Sequence, residues 1–170
     1  MIPESVDVVD EDDRVVRTVT RSEMRRDRLR HRAVFIAVFD GSGRLLVHRR
    51  SITKDVWPGW LDLAVGGVVT SGETYVDAAR RELAEEIGVV GIDPVEIDDG
   101  RIQVYDDPDV SLVGRCFAVT TNGPFEFADG EVSEAWWVSR GEFEEIRVRE
   151  RFLPDSLALL LPLARPLLDW

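Results

Sequence analysis

The sequence is poor in cysteine, histidine and basic charge, and each shortage narrows what the chain does. Cys116 is its only cysteine, so no internal disulfide is possible, which fits a reducing cytosol. His31 and His48 are its only histidines, and a lone histidine is more often a structural side chain than a ligand. Against 33 acidic residues stand 21 basic ones, a net charge of −12. That balance disfavours unassisted binding to a nucleic-acid backbone, where clustered Lys and Arg replace counterions. A small phosphorylated substrate stays compatible with it, because a bound metal reverses the local field. The apolar stretch LALLLPLARPLL is too short and too proline-broken to span a bilayer. MIPESVDVVDEDD lacks the basic-then-apolar order of a signal peptide. Neither nucleic acid nor membrane is an expected partner, and the expected location is the cytoplasm.

What the sequence does have is organised as one domain with an extension. Its 170 residues suffice for one ample core. Residues 1–30 read as an extension, and residues 31–170 as the main domain. In the extension, β-rich Val6–Val9 and Arg14–Val19 flank an acidic turn, and a charged helix covers Arg21–Arg30. Ala33–Phe39 and Arg44–His48 flank Asp40-Gly41-Ser42-Gly43, a strong hairpin signal. A strand over Leu61–Val65 precedes the paired Gly66-Gly67. Helix periodicity runs from Tyr75 to Ile87, with Gly88 as its C-terminal cap. Val95–Tyr105 and Val110–Thr120 read as long strands, and Val132–Val138 as a further one. Ser139 with Glu142 is a capping box opening a helix to about Val148. Pro154 starts a last helix that Pro162 ends or kinks. This irregular alternation predicts an α/β fold, a mixed sheet covered by helices on both faces.

The most informative stretch is GVVTSGETYVDAARRELAEEIGV, Gly67 to Val89. At about 100° per residue, Glu82, Glu85 and Glu86 share one arc of the helix. Val76, Ala79, Leu83 and Ile87 share the adjoining arc, which packs on a core. Like charges crowded this way repel unless a cation sits among them. Carboxylate oxygens suit a hard divalent ion, Mg²⁺ or Mn²⁺. A solvent-facing acidic helix accounts for carboxylates in general, but not for Gly67, Glu73, Arg81 and Gly88 at their places.

The stretch resembles the Nudix box, G-x5-E-x7-R-E-U-x-E-E-x-G-U with U aliphatic, and meets every fixed position. Chance agreement is on the order of 10⁻⁹ per window. The resemblance implies a Nudix α/β/α sandwich with a loop–helix–loop catalytic box. It also implies that Glu85 and Glu86 are the main metal ligands. Glu82 is then a ligand or base oriented by Arg81, the Gly67 carbonyl joins the shell, and Glu73 braces the loop. A glutamate outside the box often adds a ligand or general base. Glu131 and Glu134 are its two candidates, on opposite faces by their odd spacing; the turn residue Glu131 is preferred, because loops tighten around substrate. Arg49 and Arg50 close a strand, and alternation lets at most one of them meet a substrate phosphate.

The run from His31 to Gly67 is similar to isopentenyl-diphosphate isomerases of the same superfamily. Where those carry Cys-Gly-His, this chain has Val65-Gly66-Gly67, and Met24 replaces an upstream histidine; only His31 matches. A bacterial subgroup of Nudix hydrolases, the YfcD-like proteins, shares this N-terminal region and resembles nearly the whole chain. The expected function is metal-dependent hydrolysis of a nucleoside diphosphate linked to another moiety, or of a similar diphosphate. Isomerase chemistry and a non-catalytic nucleotide-sensing module are the alternatives. A homodimer, common in the family, stays open.

Overall fold

A computed structural model describes residues 3–168, and its centre is the strand His31–Phe39 (β3). Every residue of that strand except Arg32 is buried, because helices cover the sheet on both sides. Alternation sends Val34, Ile36 and Val38 to one core and Ala33, Phe35, Ala37 and Phe39 to the other. The first core is closed by the helix Tyr75–Ile87 (α2). The second is closed by Arg140–Arg149 (α3), Pro154–Leu159 (α4) and Leu161–Ala164 (α5). The expected α/β sandwich with a mixed sheet is what the chain forms.

Ahead of β3, Ser5–Val9 (β1) pairs antiparallel with Val15–Thr20 (β2), the expected hairpin. Arg21–Arg26 (α1) follows, capped by Thr20. This helix ends four residues short of the reading, where Arg28 turns to φ 49°, a conformation that stops helix propagation. The turn at Asp40 forms as expected: its Oδ1 accepts from the backbone of Ser42 and Arg44. Its two strands then part company. Leu45–Arg50 (β4) pairs with β3 only through Leu45 opposite Phe39. Besides a short contact with β1, where Val8 stands opposite His31, β3 pairs with two later strands. Ser111–Thr120 (β9) runs parallel along its full length, and Val65–Val68 (β6) runs antiparallel beside Ala33–Ile36. β4 instead pairs with Leu61–Asp62 (β5) and with Val132–Val138 (β10).

Two expected strands are broken, each by an aspartate. Asp62 accepts from the backbone N–H of Ala64, so Leu61–Val65 divides into β5 and β6, and Gly66-Gly67 lie inside a strand. Asp98 accepts from Gly100 N–H, while Asp99 and Gly100 take positive φ. Val95–Tyr105 thereby becomes Val95–Glu96 (β7) and Gln103–Asp106 (β8), both beside β9. Such local side-chain bonds compete directly with ladder pairing. The last helix breaks at Leu160, as Pro162 requires.

Candidate active site

α2 is set by local chemistry at both ends. Thr74 Oγ1 accepts from Asp77 N–H at 3.1 Å, and Gly88 closes the helix at φ 70°, where other residues are strained. Ala78, Ala79, Leu83 and Ile87 face β3. On the neighbouring arc Glu82 and Glu86 are only 6% and 3% exposed, whereas the Glu85 side chain is 54% exposed. The three carboxylates are therefore two buried groups and one at the rim. Their burial depends on the strand below. A Cβ on Gly67 would lie 2.5 Å from Glu82 Oε1, and one on Gly66 only 1.9 Å from the Val34 carbonyl oxygen. Glycine at both places lets helix, β6 and β3 approach closely, and Glu86 Oε2 accepts from Gly66 N–H at 3.4 Å.

One guanidinium organises the rest. Arg81 Nε and Nη2 donate to the two oxygens of Glu73, each at 2.9 Å, and Nη2 donates to Val68 O at 3.0 Å. Its Nη1 donates to Glu82 Oε1 at 2.6 Å and Glu85 Oε2 at 3.2 Å. Glu73 also accepts from Thr70 N–H, which ties the loop ahead of α2 to the helix. The bond to Glu73 raises the Arg81 pKa. Burial pushes Glu82 up despite Arg81. Burial, and then Glu82 itself, push Glu86 well above the carboxylate range. A dication would relieve both groups. Among the described residues no three His, Cys, Asp or Glu side chains stand as a ready ligand cluster, because Arg81 draws Glu82 and Glu85 onto its own donors. The donor set, oxygen-only and anionic beside the Gly67 backbone, nevertheless fits a hard divalent ion.

The facing wall carries both signs of charge, with Arg21 paired to Glu4. Arg21 of α1, Lys54 and Glu131 line a cleft of about 280 Å³ together with Gly67, Glu82 and Glu85. An adjoining space of about 200 Å³ adds Arg25 and Arg50. Lys54 pairs with Glu131, and Glu131 is seated by its own backbone: its carbonyl accepts from Ser51 N–H and its N–H donates to Asp129. The register of β4 and β10 separates the paired candidates. Arg49 stands opposite Glu134 and bonds it at 2.6 Å. Arg49 also donates to Gly59 O. Neither Arg49 nor Glu134 lines the cleft, whereas Arg50 and Glu131 do. Sequence reasoning passed over Arg21, Arg25 and Lys54. Two signals were present: the four-residue spacing of the arginines, which puts them on one helix face, and a single lysine in the chain.

Cys116 lies apart from this cleft. Its thiol is buried in β9, donates to Leu159 O at 3.7 Å, and is pushed up to about 12 by burial. Such a group is not a nucleophile. His48 is buried opposite Asp62, and burial lowers its pKa.

The NUDIX domain matches residues 29–157. A Nudix hydrolase of Streptomyces coelicolor, SCO1686, is 48% identical over 161 residues, spanning 91% of this chain and 85% of that protein. YfcD of Escherichia coli K12, also a Nudix hydrolase, is 42% identical over 158 residues, 92% of this chain and 84% of its own. The crystal structure of DR0079 from Deinococcus radiodurans superposes with TM-score 0.78 at 27% identity, covering 94% of this chain and 99% of that one. None of the helices among the described residues is long and apolar enough to cross a membrane.

Proposed function

The chain belongs to the Nudix hydrolase family, and from that premise we propose that it is a divalent-metal-dependent hydrolase of a diphosphate joining a nucleoside to another moiety, or of a similar diphosphate. One observation carries the reading. Two buried carboxylates, Glu82 and Glu86, meet the glycine backbone of β6, and Glu82, with Glu85 at the rim, shares one cleft with Arg21 and Lys54. Glu82, Glu85, Glu86 and the Gly67 carbonyl are the groups that would hold Mg²⁺ or Mn²⁺. When bound, such an ion supplies charge neutralisation and an activated water. Arg81 holds Glu82 in place, and Glu73 holds Arg81. Arg21, Arg50 and Lys54 bind phosphate oxygens, with the planar fork of each arginine taking two at once. Glu131 accepts the proton of the attacking water, and Lys54, its ion-pair partner, keeps it over the cleft.

The test is a panel of nucleoside triphosphates, nucleoside diphosphate esters and isopentenyl diphosphate, each with Mg²⁺, with Mn²⁺ and with chelator. Metal-dependent cleavage of a diphosphate ester is the expected result. Conversion of isopentenyl diphosphate without cleavage would move the chain to the isomerase reading. Tight nucleotide binding with no turnover of any compound would make it a sensing module.

A further inference from the structure

The β1–β2 hairpin meets β3 at a single residue pair, Val8 opposite His31. It also precedes residue 29, where the match to the NUDIX domain begins. A two-stranded ribbon held so lightly by the sheet needs other anchors. It finds them around the loop that carries Glu73.

Alternation splits β1 into two faces. Val6 and Val8 pack with Val19, Met24 and Val68, and the Val68 carbonyl accepts from Arg81 Nη2 at 3.0 Å. Asp7 turns the other way and is 9% exposed. Its Oδ1 accepts from Ser71 Oγ at 2.7 Å and from Thr18 Oγ1 at 2.8 Å. Burial pushes the Asp7 carboxyl up, but the bonds from Ser71, Thr18 and the Gly72 backbone outweigh it and hold its pKa below the ordinary value. Ser71 N–H donates to the Ser5 carbonyl at 2.8 Å, so both of these Ser71 bonds end on β1. Nothing lies within 4 Å of the place a Cβ on Gly72 would occupy; bonds hold the tip of this loop, and packing does not. Two residues after Ser71, Glu73 takes Arg81 with both oxygens, and Arg81 takes Glu82. The connection from hairpin to carboxylate is continuous. Burying a carboxylate such as Asp7 is costly unless its bonds are made, and what they add over an apolar contact is direction.

We propose that the hairpin positions the metal site from outside the matched domain: Asp7, acting through Ser71, fixes the loop from which Glu73 holds Arg81 and, through it, Glu82. Asp7 and Ser71 are positioning residues, and neither lines the cleft. This role rests on the hydrolase reading for the metal, but its first readout is metal binding and needs no turnover.

Two donors share Asp7 Oδ1, one on the loop and one inside the hairpin, and the second supplies the control. Mn²⁺ binding is followed by electron paramagnetic resonance, with a thermal melt of each variant to verify folding. Ser71→Ala is expected to raise the Mn²⁺ Kd about tenfold, as loss of groups that orient metal ligands does. Ser71→Thr keeps the hydroxyl and should bring the Kd back to within about twofold of wild type. Thr18→Val frees the same oxygen from the hairpin side and should also stay within about twofold. In Glu73→Gln protein, where the path is already cut, adding Ser71→Ala should change the Kd by less than about twofold. On a diphosphate substrate, Ser71→Ala should lower kcat about tenfold with KM nearly unchanged, because it displaces a ligand and no substrate contact.

An unchanged Mn²⁺ Kd in folded Ser71→Ala protein overturns the proposal. So does an equal loss in Thr18→Val, or full additivity with Glu73→Gln. Any of these beside metal-dependent cleavage by wild type sinks only the brace. The expected Mn²⁺ pattern with no diphosphate cleaved by wild type would keep the brace and sink the hydrolase reading.

Discussion

One wall of the cleft comes from a single stretch, Gly66 to Glu85, whereas the facing wall collects Arg21 from α1, Arg50 from β4, Lys54 from the next loop and Glu131 from the turn before β10. The first wall is local. Helix geometry alone decides which of its side chains share an arc, and two glycines decide how close that arc comes to the sheet. The second wall exists only after four separate segments have been placed by strand pairing. The difference teaches where chemistry can be read from spacing and where it waits for the fold.

The largest expected effects test the local wall at adjacent glycines. Gly66→Ala forces a Cβ to 1.9 Å from the Val34 backbone oxygen, which no side-chain motion relieves, so a loss of about 3 kcal/mol or more is expected on denaturant unfolding. Gly67→Ala meets only the tip of Glu82, at 2.5 Å. That carboxylate swings aside, so folding should hold within about 1 kcal/mol, while kcat falls ~100-fold from a misplaced ligand. Equal destabilisation by both would mean the wall is merely packed.

The facing wall is probed at its two glutamates. Glu131→Gln is expected to lower kcat by ~10²–10⁴. Glu134→Gln loses only a half-exposed pair with Arg49 and should leave kcat within about twofold. The reverse order, with folds intact, would place the proton acceptor on the strand and dismantle this wall as drawn.

Asp155, in the pocket behind Gly66 and Gly67, is a finer probe. Burial, and then Asp62, raise its pKa from 3.8 to about 7. Because the folded value lies above the unfolded one, the folded state holds the extra proton between them. The stability it contributes is full below about pH 4 and is lost as pH rises through about 7. Asp155→Asn removes that loss. The variant should gain on wild type between about pH 4 and pH 8, by on the order of 4 kcal/mol, in parallel thermal melts. A constant difference across that range would refute the buried-acid assignment.

The smallest effect is expected at Cys116. Cys116→Ser keeps a donor for Leu159 O and should cost about 1 kcal/mol of stability with turnover unchanged. Lost activity at an unchanged melting temperature would count against a hydrolase that relies on water and metal alone.

What the sequence revealed follows the same division. α2 with its Gly88 cap, the capping box at Ser139, the β1–β2 turn and β10 were legible because each depends on residues a few positions apart. β3 hid its partners. A run buried on both faces says nothing about which strands flank it, and the hairpin turn at Asp40 suggested β4 where β6 and β9 pair. The breaks at Asp62 and Asp98 escaped notice because both aspartates are nearly inaccessible and bond to the backbone two residues on. Arg49 and Arg50 were known to diverge, but their faces were fixed only by the β4–β10 register. Arg21 and Arg25 were read only as part of a charged helix lying over the main body, since nothing local brings α1 to the cleft.

The central claim is that Glu82 and Glu86 hold a divalent ion that hydrolysis requires. It is tested most directly by Glu86→Gln, assayed for diphosphate cleavage at ordinary Mg²⁺ beside Mn²⁺ binding followed by electron paramagnetic resonance. The substitution keeps the shape of a fully buried side chain and removes one of two crowded charges. Melting temperature should therefore hold or rise, while Mn²⁺ affinity drops and cleavage falls ~10³-fold or more. A folded Glu86→Gln protein that binds Mn²⁺ as wild type does and cleaves the diphosphate at near wild-type rate would contradict the account.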